Sequence, residues 1–170
     1  MNGKNELRNK AKEIRRNLDM EKVSAKLCGE IRKSGVYKAS KNIMLFYPKP
    51  NEVDLRELFG DDKNFYLPRV CGENLDVCPY KVGDDLKRSE FGVFEPTSAK
   101  TDSLVLDLII VPALASDKKG YRLGYGKGYY DRFLNGNCDI KTLCALPKEL
   151  VFDDLPHDDY DVKIDYIITA

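Results

Sequence analysis

The stretch Val111–Leu134, VPALASDKKGYRLGYGKGYYDRFL, gathers groups able to hold a phosphate chain. Gly120, Gly124, Gly126 and Gly128 fall within nine residues. Glycines at 124, 126 and 128 carry no Cβ, so the backbone can approach a ligand closely. Successive N–H groups in such a loop form a concavity for phosphate oxygens. Arg122 and Lys127 add full positive charges beside it. A helix starting near Gly128 or Tyr129 would aim further N–H donors at an anion. Asp131 follows three residues after Gly128, and a carboxylate beside bound phosphates holds Mg²⁺ rather than the phosphates themselves. The spacing is not a Walker loop, because no Ser or Thr follows Lys127; nor is it GxGxxG, because the third glycine comes one residue early. Glycines alone fit a mobile turn equally well. Arg, Lys, paired Tyr and Asp behind a buried strand make the anion reading specific.

Other polar groups need more context. Leu7, Ala11, Ile14 and Leu18 share one face of a first helix, and Lys4, Arg8 and Arg15 form a stripe alongside it, with Glu6 and Glu13 on the other flank. Spacing alone favours a solvated face there. Glu52 follows a strand within Tyr47-Pro-Lys-Pro-Asn-Glu52, where one carboxylate can accept two N–H donors from a flat heterocycle or cap the next helix. Tyr129 and Tyr130 suit either ring stacking or core packing. In the tail, Asp165 lies inside an apolar run and needs a partner or a metal, with Asp161 a rival for that task. His157 is the only histidine and receives no role.

The elements that must position these groups are readable from periodicity. Helices are predicted over residues 4–18 and 21–33, the second capped by Asp19 and leaving at Gly35, and over 54–59 and 129–134. Strands are predicted at 42–47, 64–67, 75–80, 107–111, 141–146 and 164–169, with Pro48, Pro68 and Pro112 as stops. Several strands are apolar on both faces. The expectation is therefore α/β: a single three-layer domain over residues 1–170, with a mostly parallel sheet flanked by helices. In such sheets ligands sit at the carboxyl ends of strands, which selects the loops after Tyr47, Leu67 and Val111.

Composition narrows the partners. Lys+Arg and Asp+Glu both number 28, so no positive excess exists to favour nucleic acid or a membrane surface. The longest apolar run, Leu104–Ala115, is interrupted by Asp107 and Pro112 and falls short of the ~20 residues of a membrane span. The N-terminus lacks an apolar signal region. Cys28, Cys71, Cys78, Cys138 and Cys144 are odd in number and form no CxxC pair, which argues against a disulfide framework or zinc site and for a cytoplasmic protein.

RLGYGKGYYDRFL after a strand ending in Val-Pro resembles the signature of the 5-formyltetrahydrofolate cyclo-ligase (methenyltetrahydrofolate synthetase) family. The Lys-x-x-x-Arg start, Glu52 after the first strand, Glu95–Pro96 and the HDxxxDVKIDYII tail extend the likeness over nearly the whole chain. The resemblance implies an ATP-dependent ligase of one-carbon metabolism acting on small molecules, as a monomer or small homo-oligomer. It implies ATP contacts from Lys4, Arg8, Arg122, Leu123, Gly124, Tyr125, Gly126, Lys127, Gly128, Tyr129 and Tyr130, with Arg122 and Lys127 neutralising charge at the transferring phosphoryl group. Tyr47, Glu52 and Tyr129 are implied to meet the folate, and Asp131 with Asp165 to hold Mg²⁺. The chain reads PALASD at Pro112–Asp117 where the family has PGLAFD, so Ser116 replaces an aromatic expected near the pocket. Rival readings are a phosphosugar isomerase-like or CoA-transferase-like α/β enzyme, which would need no ATP, and a non-catalytic folate or nucleotide-binding module.

Overall fold

The computed structural model describes residues 2–170. Helices α1 (Asn2–Arg16), α2 (Met20–Lys33) and α3 (Gly35–Ala39) precede strand β1 (Asn42–Met44). A 3-10 turn at Arg56–Gly60 leads to β2 (Asn64–Cys71), β3 (Asn74–Tyr80), β4 (Leu86–Arg88) and β5 (Phe94–Pro96). Then come β6 (Leu108–Ile110), β7 (Ala115–Asp117), β8 (Arg122–Leu123), α4 (Tyr129–Asn135), β9 (Lys141–Leu146), β10 (Val151–Phe152) and β11 (Tyr166–Thr169).

Six strands form one sheet in the order β11-β9-β6-β1-β2-β3, parallel except for the β2–β3 hairpin at one edge. Alternate residues of each strand serve opposite faces. Ile43, Leu108, Ile110, Leu143 and Ala145 meet Leu27 and Ile31 of α2 in one core. Met44, Ile109, Val111, Cys144 and Leu146 meet Leu134 of α4 in another. The fold is α/β with a mostly parallel sheet flanked by helices. Each fully buried Leu or Ile contributes about 1.5–3 kcal/mol, so these two layers hold the sheet rigid beneath its loops.

A third core attaches α1. Ala11 packs with Leu114, Ala115, Leu123, Leu150 and Leu155, which belong to or flank a small sheet ordered β10-β7-β8. The β7–β8 hairpin means that residues 115–123 are paired strand and turn, so the open loop begins only after Leu123. Asp117 fixes that turn: its fully buried carboxylate accepts from the N–H groups of Lys119, Tyr121 and Leu155 at 2.9–3.0 Å. At Gly120, with φ +98°, a Cβ would lie 2.8 Å from the Ile164 carbonyl oxygen, so glycine is required where the hairpin meets the tail.

Several boundaries differ from expectation. Ser34 ends α2 and its hydroxyl accepts from Tyr37 N–H, starting the unforeseen α3. The helix expected over 54–59 is the 3-10 turn at Arg56–Gly60. Strand β2 runs through Pro68 to Cys71. Val77, opposite Pro68, bonds on its far side to Thr101, so the missing proline N–H points away from β3, where β1 has already ended.

Candidate active site

A cleft of about 720 Å³ opens at the carboxyl ends of β1, β6 and neighbouring strands, within the range of small-molecule sites. It is lined by α1, the Tyr47–Glu52 loop, the β4–β5 hairpin, residues 122–132 and the tail near Asp161. Among the described residues no helix is long and apolar enough to cross a membrane.

The loop from Gly124 to Gly128 bends through positive φ at Gly126 (+101°) and Gly128 (+72°). Gly128 starts α4 without any side-chain cap. Arg8 braces the loop, donating from Nε to the Gly124 carbonyl at 2.9 Å, and its guanidinium sits 3.4 Å from where a Cβ on Gly126 would be. Arg122 is nearly buried, its side chain 5% exposed, and its only ionic partner among the described residues is Asp131 Oδ1 at 3.4 Å. Its Nε is buried without a hydrogen-bond partner among the described residues. A buried donor left unpaired costs about 1–3 kcal/mol, or more when charged. Lys4 pairs with Asp161 at 2.8 Å and Asp158 at 3.6 Å. The Lys127 ammonium stands 4.5 Å over the Phe91 ring and makes no ion pair among the described residues.

On the opposite wall, Glu52 closes a tight turn. Pro50 fixes its first central φ, Asn51 takes φ +67°, and Glu52 N–H donates to the Lys49 carbonyl at 3.1 Å. The carboxylate folds back, Oε2 accepting from Lys49 N–H at 2.6 Å and Oε1 from the Tyr125 hydroxyl. Burial first, and then the Glu52 charge, push the Tyr125 hydroxyl well above the usual phenol range, so it remains a donor. Burial does the same for Tyr130, whose ring faces Arg122 at 5.7 Å, although Arg122 opposes it. Burial alone would raise Asp161, but the Lys4 ammonium and the Asp158 N–H override it and hold the carboxyl below its ordinary value.

The cleft thus combines the under-partnered Arg122 and Lys127 with an oriented carboxylate and aromatic rings. The family model for 5-formyltetrahydrofolate cyclo-ligases matches residues 1–170. The chain belongs to this family. The solved structure of 5,10-methenyltetrahydrofolate synthetase from Aquifex aeolicus superposes with a TM-score of 0.84 and 33% identity, covering 98% of this chain and 89% of that one. The family's cyclo-ligase from Haemophilus influenzae is 31% identical over 140 residues, 74% of this chain and 73% of its own. The one from Mus musculus is 29% identical over 152 residues, 78% and 74% of the two chains.

Against this family background, the cleft brings together Lys4, Arg8, Tyr47, Glu52, the whole run Arg122–Tyr130, Asp131 and Asp161. Asp165 is the exception and corrects the sequence reading. It does not line the cleft; its Oδ2 accepts from Thr142 N–H at 2.9 Å and Thr142 Oγ1 at 3.2 Å, tying the approach to β11 onto β9. The tail carboxylates that line the cleft are Asp158 and Asp161. Arg15 turns inward instead, donating to the Ala113 and Leu114 carbonyls from a buried position. Ser116 is wholly buried in β7, paired opposite Arg122, and lines no part of the cleft. Phe91 and Phe94, on the β4–β5 hairpin, were missed: Phe94 meets Tyr47 edge-on at 5.4 Å and Phe91 faces Tyr129 at 6.3 Å. Their local signal was the turn Ser89-Glu90-Phe91-Gly92 just before Glu95–Pro96, with Gly92 at φ +75°.

Proposed function

We propose that this chain uses ATP to close 5-formyltetrahydrofolate into 5,10-methenyltetrahydrofolate, releasing ADP and phosphate. The observation that carries this reading is the nearly buried, under-partnered Arg122 in one cleft with Lys4, Arg8, Lys127 and Glu52. A formamide is a poor electrophile. Transfer of the γ-phosphoryl group to the formyl oxygen makes its carbon reactive, N10 of the same folate attacks that carbon and loses its proton, and phosphate departs. Phosphoryl transfer needs positioning and charge neutralisation more than a protein nucleophile. Arg122 and Lys127 neutralise the transferring group, Lys4 and Arg8 hold the rest of the triphosphate, and the loop N–H groups fix its path. Glu52 accepts from the pteridine donors, with Tyr47 and Tyr129 against the ring.

Mg²⁺ fits this site. Asp131 and Asp161 both line the cleft. No group of three metal-binding side chains occurs among the described residues, but Mg²⁺ arriving with a triphosphate takes only one or two carboxylates and completes its shell with phosphate oxygens and water. When bound it would neutralise charge on the phosphates. The proposed groups, drawn from both ends and the middle of the chain, line one cleft, so residues 1–170 act as one domain. The exposed thiols Cys71 and Cys138 suit a cytoplasmic setting that keeps them reduced. An isomerase-like or CoA-transferase-like activity would leave the cationic wall without its triphosphate and is not favoured.

The test mixes purified protein with 5-formyltetrahydrofolate and Mg·ATP and follows the near-ultraviolet absorbance of the methenyl product. Product should form only with ATP, in step with ADP. Product without ATP, or none with it, would refute the proposal.

A further inference from the structure

Tyr125 belongs to both walls of the cleft. Its backbone lies in the Gly124–Gly128 loop, between the two points that Arg8 braces, the Gly124 carbonyl and Gly126. Its hydroxyl reaches across to Glu52 Oε1, 73 positions away in sequence, and the Lys49 ammonium covers its ring at 4.8 Å. A hydroxyl donating to a carboxylate is among the stronger hydrogen bonds. Among the described residues Glu52 receives only two donors, Tyr125 Oη and Lys49 N, while a carboxylate offers about four acceptor positions. The contact therefore orients Glu52 and leaves room for two more donors.

We infer that Tyr125 is a positioning residue that couples the two substrates: seating a triphosphate in the glycine loop fixes Tyr125, and Tyr125 in turn fixes Glu52 for the pteridine. This rests on the functional reading above. The loop's glycines give it conformational freedom without phosphate, and that freedom passes to Glu52 through one hydroxyl. Rigidifying an element shared by two sites makes the second ligand bind more tightly, and the coupling is reciprocal.

Calorimetry would measure 5-formyltetrahydrofolate binding with and without a non-hydrolysable ATP analogue and Mg²⁺. In the wild type the analogue should tighten folate binding about tenfold, within the usual range of coupling. In Tyr125→Phe, which removes only the hydroxyl, that ratio should fall to about one. Steady-state kinetics should show a raised KM for folate at saturating ATP and, because the coupling is reciprocal, a raised KM for ATP at saturating folate. The thermal midpoint should stay the same, which separates positioning from a structural defect. Adding Tyr125→Phe to Glu52→Ala should have no further effect, because Tyr125 acts through that carboxylate. Full coupling retained in Tyr125→Phe, or additive losses in the double variant, would overturn this inference alone. Failure of the wild type to bind the folate at all would overturn it together with the functional reading.

Discussion

Arg32, on α2, donates from Nε and Nη2 to both oxygens of Asp61 at 3.0–3.2 Å and from Nη1 to Glu57 at 2.6 Å. Tyr37 adds its hydroxyl to Asp61 at 2.7 Å. Arg122 is far more buried, its side chain 5% exposed against 36% for Arg32, yet it has a single partner at 3.4 Å and an orphan Nε. Desolvation should make the deeper arginine the better paired of the two. The reverse holds because the two clusters answer different demands. The Arg32 cluster fastens α2, α3 and the 3-10 turn to one another, so its donors and acceptors satisfy each other. On the proposed function, the Arg122 cluster keeps capacity open for an anion, and the surrounding cores hold it in place.

Breaking the open cluster should give the largest effect. Arg122→Ala is expected to lower kcat/KM by ~10³-fold, about 4 kcal/mol of transition-state stabilisation. Its melting temperature should be unchanged or slightly higher, because an under-paired buried charge has gone. Steady-state rates and scanning calorimetry on one preparation check both halves.

Breaking the saturated cluster should do the opposite. Asp61→Ala is expected to cost about 2 kcal/mol of stability, a figure reduced for the partial exposure of the pair, with turnover per folded molecule unchanged. Its pH dependence sharpens the contrast. Burial alone would raise the Asp61 carboxyl, but the Arg32 and Tyr37 hydrogen bonds prevail and hold it below its usual range. The folded value is depressed, so its stabilisation is fully present above the unfolded value of about 3.9 and is lost as pH falls through the folded one. Denaturant midpoints of the wild type and Asp61→Asn should therefore differ at pH 7 and pH 5 and converge below about pH 4.

What was legible in the sequence was local. Within the runs at 42–47, 107–111 and 141–146, residues 43–46, 108–111 and 143–146 are apolar at every step, as a strand covered on both faces requires. The glycine loop announced itself by residue types within one short segment. The unforeseen parts depend on long-range pairing. Asp161 and Asp165 are both acidic and four positions apart; which one meets the cleft is set by Ile164, whose N–H donates to the Gly120 carbonyl at 2.8 Å and turns Asp165 toward Thr142. Phe91 and Phe94 reach the cleft because Glu95 accepts from Val70 N–H at 2.8 Å, docking their hairpin onto β2. Neither partner lies near in sequence. The Tyr125–Glu52 contact is hidden for the same reason, since each residue alone has an adequate local role.

The most direct measurement is a crystal structure with Mg²⁺ and a non-hydrolysable ATP analogue. A phosphate oxygen should lie within ~3.2 Å of Arg122 Nε, with Lys4, Arg8 and the loop N–H groups on the same phosphate chain. A triphosphate seated away from residues 122–128, with that Nε still unpartnered, would contradict the account.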